Sequence, residues 1–473
     1  MNIHDLANSI NGKLLGYDDY YLTQDFTGRF TLLNDSSMGD IVIRHWINGK
    51  GIEIAANKKI ACLITQNPKD DAIETAINLN FPLIVIDKIE MANAYALKWT
   101  VNKYSPDSTN IIITGTNGKS TTSHLIHHIL CDAGFNVFTN TDSESEFNTL
   151  IDPMVSKLIS DGVKSNDLFD YLVIEVSEVQ GWLDKLMKNH AALMADAVNP
   201  DVAVITNIAM DHIGLVNSID DVFDEISKVP DVVDDGVCVL NFDDNLVRQL
   251  NSNNSFYWSM NDHNVDLYFD DGIFYKGSKI IEFDELPFTS NHFIQNILAA
   301  TGACISLGID LESIKKGVKS YKALSRRFMK LHDDPLIIDD FAHNPDGIRN
   351  TIKESIKLLK ANQTLFVVCS IRGSRGVEIN ELNVNALVDV LSDDCRLILS
   401  SSNDVVDDLN YVTADEKKVF FDVLNENNID YTHFDNLEDC LFETYNLAND
   451  DDIILLIGAQ GMDPAGFLLS KFL

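Results

Sequence analysis

Basic residues are scarce in this chain. Its 473 residues carry 36 Lys and Arg against 72 Asp and Glu, a formal net charge of −36. A surface of that sign repels nucleic acid and anionic membranes, so neither is expected as a partner. It also repels anionic nucleotides at long range, and any nucleotide site must draw on a few local cations. The acids are spread along the chain rather than gathered in a tail, so they imply no disordered segment. They suit high internal salt, where screening is strong. Long apolar runs are missing too: no stretch of about 18 residues qualifies as a membrane span. The opening MNIHDLANSINGKLL lacks a basic region followed by an apolar one, so no signal peptide is expected. The seven cysteines, at 62, 131, 238, 304, 369, 395 and 440, form no CxxC pair. Neither a zinc cluster nor a disulfide framework is indicated, and a reduced, cytoplasmic setting follows. Internal repeats and low-complexity tracts are absent as well.

What is present is enough apolar residue, 45%, to build about three cores from a chain of this length. Residues 111–121 read IIITGTNGKST, an apolar strand, a Gly-rich turn and the opening of a helix expected over Thr121–Ile129. This is a phosphate cradle. Backbone N–H groups freed by Gly115 and Gly118 point at anionic oxygens, and the helix N-terminus adds partial positive charge. Lys119 reaches the β/γ-phosphates, and Ser120 holds Mg²⁺. The common loop has a further Gly five residues before the second; here that position is Ile113. The loop is therefore a variant, TGTNGKST.

Around it the chain reads as three segments. Residues 1–107 show a helix at Ile3–Ile10, strands near Asp40–Ile43 and Ile60–Ile64, and a helix at Asp70–Asn78. A strand follows at 82–87, then a helix at Met91–Lys103. The polar stretch KYSPDST at 103–109 is a linker. From 110 strand and helix alternate, the pattern of a parallel sheet with crossover helices. Residues 236–283 break that rhythm with short strands and an Asp271-Gly272 turn, read as an antiparallel insert. After Arg327 a new α/β run begins, with strands at 336–339, 365–369, 396–399 and 453–457.

Four further motifs follow the loop in order. Asp170–Ser177 reads DYLVIEVS, Asp201–His212 reads DVAVITNIAMDH, Ser290–Ala300 reads SNHFIQNILAA and Leu336–Pro345 reads LIIDDFAHNP. With TGTNGKST these resemble the Mur ligase family's ExS, TNxxxDH, GxHNxxN and DDYAHNP motifs, across roughly 240 residues and in the family's order. The resemblance implies an α/β protein of three domains. These are an N-terminal UDP-substrate-binding domain (1–107), a central P-loop parallel-sheet domain that binds ATP and carries the antiparallel insert (108–325), and a Rossmann-like C-terminal domain that binds the amino acid (326–473). It implies an ATP-dependent peptide ligase whose partners are a UDP-linked peptide precursor and an amino acid.

Ligands in a parallel sheet bind beyond the strand C-termini. Gly115, Thr116, Asn117, Gly118, Lys119, Ser120 and Thr121 line one such end. Glu175, at another, supplies an oxygen ligand for Mg²⁺ beside Ser120. At the third, the resemblance implies that His212 and a carbamylated lysine hold a second Mg²⁺. Lys228, on a helix expected over Asp220–Val229, is the only lysine between His212 and the insert; its other reading is a solvated helix lysine. Asn296 matches the last Asn of the adenine-contacting motif, whereas Ser290 and Phe293 replace the family's Gly and first Asn. Arg327, with Arg326 as a close rival, falls where the family contacts phosphate or ribose. Asp339 or Asp340 would bind ribose hydroxyls, and His343 and Asn344 open the next helix. Arg375 resembles the arginine of an altered GxGGxRD loop.

The N-terminal element Asp35-Ser36-Ser37-Met38-Gly39-Asp40 is a shortened form of the MurE/MurF-type DSR-x4-GD. GAQGMD (458–463) stands for GKGHE, and SSSNDVVDD (400–408) stands where MurE carries DNPR. An arginine pairs bidentately with a distal carboxylate; this loop offers Asn403, Asp404, Asp407 and Asp408 instead. Lysine or alanine is the expected amino acid, and a MurE-like pseudomurein peptide ligase of archaeal type the expected branch. The alternatives are another ligase of this class, of the cofactor F430 type or the folylpolyglutamate type, or a nucleotide-binding scaffold subunit.

Overall fold

The runs Ile41–Ile43 and Cys62–Ile64, which open the strands Ile41–Ile47 and Cys62–Pro68, are apolar and buried on both faces, the signature of strands covered by helices on each side. The computed structural model describes residues 2–16, 28–141, 153–164, 168–182, 185–210, 215–322, 324–407 and 410–473. The chain divides into two units, Met1–Tyr321 and Lys322–Leu473.

The first unit opens with a five-stranded sheet in the order Lys13–Leu15, Leu83–Val85, Cys62–Pro68, Ile41–Ile47, Phe30–Thr31. All neighbours are parallel except the first pair. Successive side chains face opposite cores. Ile41, Ile43 and Ile64 meet the helices Ile3–Ser9 and Ile89–Tyr104, while Val42 and Leu63 meet Gly49–Asn57 and Ala72–Asn78. The helix Gly49–Asn57 escapes a sequence reading because two glycines sit in its first turn. Both are packing glycines: a Cβ at Gly49 would lie 2.3 Å from the Asp71 carboxylate, and one at Gly51 would lie 2.2 Å from Ile47. Asn48 caps the helix by accepting the Gly51 N–H. The helix Ile89–Tyr104 is buried on two sides. Ile89, Ala92 and Ala96 join the core of the first sheet, and Ala94, Leu97 and Val101 join that of the next.

That second sheet has nine strands: Ser278–Glu282, Gly272–Tyr275, Leu267–Phe269, Ser255–Ser259, Val237–Asn241, Val202–Ile205, Thr109–Thr114, Tyr171–Glu175, Val137–Thr139. It corrects the expected antiparallel insert over 236–283. Val237–Asn241, Ser255–Ser259 and Leu267–Phe269 extend the parallel sheet, and only Gly272–Tyr275 and Ser278–Glu282 add antiparallel edges. The helix expected over Asp220–Val229 is Ile219–Ile226, opened by a capping box of Ser218 and Asp221.

The second unit is a six-stranded sheet ordered Met329–Asp333, Leu336–Asp340, Ile453–Ile457, Leu365–Ser370, Cys395–Ser400, Tyr431–Phe434. It is parallel apart from the Met329–Asp333 edge. Helices Pro345–Lys357, Val377–Val388 and Ala414–Glu426 cover one face; Leu437–Leu447 and Ala465–Leu469 cover the other. The last strand returns between the first two of the parallel set by way of Leu437–Leu447, on the face opposite the other connecting helices.

Candidate nucleotide site

Three neighbouring strands of the nine-stranded sheet end side by side. Thr109–Thr114 delivers the Gly-rich loop, Tyr171–Glu175 a carboxylate and Val202–Ile205 the residues Thr206 and Asn207. The helix after the loop runs Lys119–Asp132, two residues earlier at its start than expected. Its first-turn N–H groups have no intrahelical acceptor, which is what makes such an end attractive to anions.

The loop needs its glycines. Gly115 has φ +116° and Gly118 φ +84°, backbone that side-chain-bearing residues rarely adopt. A Cβ at Gly115 would sit 2.4 Å from Thr206 Oγ1, and one at Gly118 2.2 Å from Asn296 Oδ1. Asn296 is thus brought to the loop, where its oxygen accepts from the Thr122 hydroxyl at 3.4 Å. Asn207, given no role from sequence, clamps the turn from the other side. Its Oδ1 accepts the Asn117 N–H at 2.9 Å, and its Nδ2 donates to Asn117 O at 2.8 Å. Thr116 adds a bond in each direction with Ala209. The signal was the TN pair of the third motif, whose asparagine meets the loop 90 residues upstream. Asn207→Ala removes both clamping bonds and is expected to raise the KM for ATP about tenfold, each bond contributing on the order of 1 kcal/mol. Steady-state kinetics with ATP as the varied substrate checks this; an unchanged KM would mean the loop holds its shape without the clamp.

Glu175 and Ser120 meet as expected. The Ser120 hydroxyl donates to Glu175 Oε1 at 3.1 Å, and Thr141 donates to Glu175 Oε2 at 3.4 Å. Asn140, buried, holds the Glu175 backbone through its N–H and C=O, at 2.7 and 3.0 Å. Asn140 and Thr141 were not legible as site residues, since they follow a three-residue strand with no motif of its own. A hydroxyl and a carboxylate this close form a hard-oxygen pair that fits Mg²⁺. Among the described residues no three His, Cys, Asp or Glu side chains converge as a metal cluster. Asp211 and His212 lie outside the described residues.

Lys119 does not extend freely from the loop. Its Nζ donates to Gly115 O at 2.7 Å, to Thr116 O at 3.0 Å and to Glu178 Oε2 at 2.7 Å. Lys228 lies just past its helix and is exposed, with Nζ donating to Asn189 Oδ1. The neighbouring Glu225 carboxyl is raised by burial and lowered by backbone N–H bonds and by the Lys228 charge.

In the second unit Arg326 and Arg327 separate. Arg326 is buried: its guanidinium bonds Asp339 Oδ1 at 3.3 Å, Ala459 O at 3.1 Å, Gly458 O and Asp463. Arg327 is half-buried, stacked 5.0 Å from the Phe341 ring. Asp339, expected at a ribose, is 3% exposed and engaged by Arg326. Burial pushes its carboxyl up to about 6 even though the Arg326 charge pulls it down. Asp340 is also consumed internally, accepting from the Phe328 and Ala342 N–H groups and the Thr351 hydroxyl. Both acids are thus engaged within the second unit. His343 Nδ1 lies 2.7 Å from Phe341 O, and Asn344 caps Pro345–Lys357. The Arg375 N–H donates to the buried Glu416, which also accepts from Ser374 and Gly376.

The SSSNDVVDD loop is not the acidic pocket its composition suggests. Asp404 accepts the Leu437 N–H at the head of Leu437–Leu447, and Asp407 accepts from Asn410. Asn403 accepts the Val412 N–H, and Asp408 lies outside the described residues.

A Gly-rich loop at a helix head, with a lysine, a serine and a facing carboxylate, defines a nucleotide-triphosphate-binding protein. Comparison with known proteins narrows this. Residues 113–304 match the Mur ligase middle domain, and residues 326–460 match the Mur ligase glutamate ligase domain. A UDP-N-acetylmuramate–L-alanine ligase of Brachyspira hyodysenteriae is 30% identical over 368 residues, 74% of this chain and 73% of that protein. MurF from Acinetobacter baumannii shares the fold at a TM-score of 0.69 and 16% identity, over 99% of this chain and 98% of its own. A pseudomurein peptide ligase type C from Methanothermus fervidus does so at 0.56 and 19%, over 92% and 95%. The chain belongs to the Mur ligase family, ATP-dependent acid–amino-acid ligases of cell-wall synthesis.

Proposed function

We propose that this ligase adds a small neutral amino acid, alanine first, to the carboxylate of a UDP-linked cell-wall precursor in the cytoplasm. The observation that carries the ATP half is the meeting of Ser120 and Glu175 at adjacent strand ends, beside Lys119 at the head of the same helix. A carboxylate hydroxyl is a poor leaving group, so amide formation needs activation. A substrate carboxylate oxygen attacks the γ-phosphorus of ATP, the bond to the β-phosphate oxygen breaks, and ADP leaves an acyl phosphate. The amino-acid nitrogen then attacks the carbonyl carbon, phosphate departs with the C–O bond electrons, and the nitrogen loses its proton. The loop amides hold the phosphates in line, and Lys119 offsets the charge of the transferring group. Ser120 and Glu175 would hold Mg²⁺, which supplies further charge neutralisation when bound. A second ion would draw on His212. Arg327 keeps the phosphate- or ribose-contacting role that the family resemblance implies, and Asn296 braces the loop.

The choice of alanine rests on two supports. Asp404 and Asp407 are engaged in a capping and a turn bond, which weakens the case for an ammonium-binding pocket. The relative from Brachyspira hyodysenteriae bears an L-alanine ligase name. A second reading, a pseudomurein-type acceptor, is favoured by the fold shared with the Methanothermus fervidus ligase. Phosphate release from ATP, measured with each of twenty amino acids and with muramyl or pseudomurein UDP-linked acceptors, tests both. Alanine-dependent release is expected. Release with diaminopimelate or glutamate and none with alanine would sink the assignment, and the acceptor that supports turnover decides between the two readings.

A further inference from the structure

Glu178 stands three residues beyond Glu175, outside every motif read from the sequence, and its side chain is 1% exposed. Its Oε2 lies 2.7 Å from Lys119 Nζ. An ammonium has three N–H donors. In this structure Gly115 O, Thr116 O and Glu178 occupy three acceptor positions around it. The strand end that sends Glu175 to Ser120 therefore sends a second carboxylate to the neighbouring Lys119.

A carboxylate this buried needs its counter-charge, and an ammonium needs to shed an acceptor before it can take a phosphate oxygen. The two loop carbonyls belong to the turn that must stay in place to cradle phosphate. Glu178 is the acceptor carried by a separate segment, the bend that follows Tyr171–Glu175. We infer that Glu178 is the positioning residue of Lys119. It holds the ammonium folded against the loop between turnovers, and a β- or γ-phosphate oxygen of ATP takes its place on Nζ when the nucleotide binds. The site then trades one anion for another at a fixed cation. In a chain of net charge −36 this keeps the loop lysine from being drawn to other acids. The exchange also costs affinity, because the displaced carboxylate stays close to the incoming phosphates. Nucleotide affinity is thereby kept low enough for ADP to leave.

This rests on the nucleotide reading of the loop, and the test separates the two. ADP binding to the wild-type protein and to Glu178→Gln is measured by calorimetry, with KM and kcat for ATP alongside. Glutamine keeps the shape and a hydrogen bond to Lys119 but removes the charge. The variant is expected to bind ADP about tenfold more tightly, with KM for ATP falling in step and kcat changing less than KM. A merely structural glutamate would instead raise KM, lower kcat and lower Tm together. Unchanged or weaker ADP binding by a folded Glu178→Gln overturns the inference. Absence of ADP binding by the wild type would overturn the nucleotide reading instead. A crystal structure of the wild type with Mg²⁺ and a non-hydrolysable ATP analogue covers the case in which the variant does not fold. The Lys119–Glu178 contact is expected to be broken there, and its persistence with phosphate in the loop would overturn the exchange.

Discussion

Lys119→Ala is expected to lower ligase turnover by about two to four orders of magnitude, the scale for losing one preorganised electrostatic stabiliser. Lys119 is the loop's own cation, in a chain where acids outnumber bases two to one. The variant has a second consequence that must be kept apart from the first. It strands the Glu178 carboxylate, buried and without its ammonium, and breaking a buried pair from one side costs about 3–5 kcal/mol. A turnover loss in Lys119→Ala alone therefore mixes chemistry with unfolding. The double variant Lys119→Met with Glu178→Gln removes both charges, so it should recover much of the lost Tm and none of the lost activity. Phosphate-release assays and thermal melts on the three proteins give the comparison. Near-normal turnover in either Lys119 variant would remove the nucleotide assignment.

The loop was legible because phosphate binding constrains the backbone itself. Positive φ at Gly115 and Gly118 can be read from glycine at those positions, and a helix after the loop from its sequence, though it starts at Lys119, two residues before the expected Thr121. Glu175 was legible for a related reason, as an acid that ends an apolar strand. Glu178 was not, because its partner lies 59 residues away in sequence, and Asn207 was legible as a strand end at the site but not as the clamp of a loop 90 residues upstream. The same limit explains the insert. Short alternating strands look alike whether they pair parallel or antiparallel, and the neighbour that decides it for Val237–Asn241 is Val202–Ile205, not the next turn. Adjacent arginines defeat sequence reasoning altogether. Both guanidinium groups lie over Phe341, but only Arg326, at φ +56°, turns inward to Asp339 and Asp463, and nothing in the dipeptide says which does so.

That inward turn sets the largest stability effect expected in the second unit. Arg326 ties the head of the unit to Asp339 at the end of one strand and to Gly458, Ala459 and Asp463 beyond another, joining neighbours in the sheet. Arg326→Ala leaves Asp339 buried without its counter-charge and frees two enclosed carbonyls, at a cost of about 3–5 kcal/mol. The loss should depend on pH in a defined direction. Burial already raises the Asp339 carboxyl to about 6, against 3.8 as the ordinary value, and the Arg326 charge is the main force holding it down. Without Arg326 the folded-state value rises further. A carboxyl raised on folding costs the native state nothing below its unfolded value; the cost grows as pH climbs from there through the folded value. The deficit of Arg326→Ala relative to wild type should therefore be smaller at pH 5 than at pH 8, because at pH 5 Asp339 can take a proton in place of the missing cation. Urea unfolding of both proteins at the two pH values measures it. A deficit that is equal at both, or larger at pH 5, would mean that Arg326 acts through packing and its carbonyl bonds and not through the Asp339 charge.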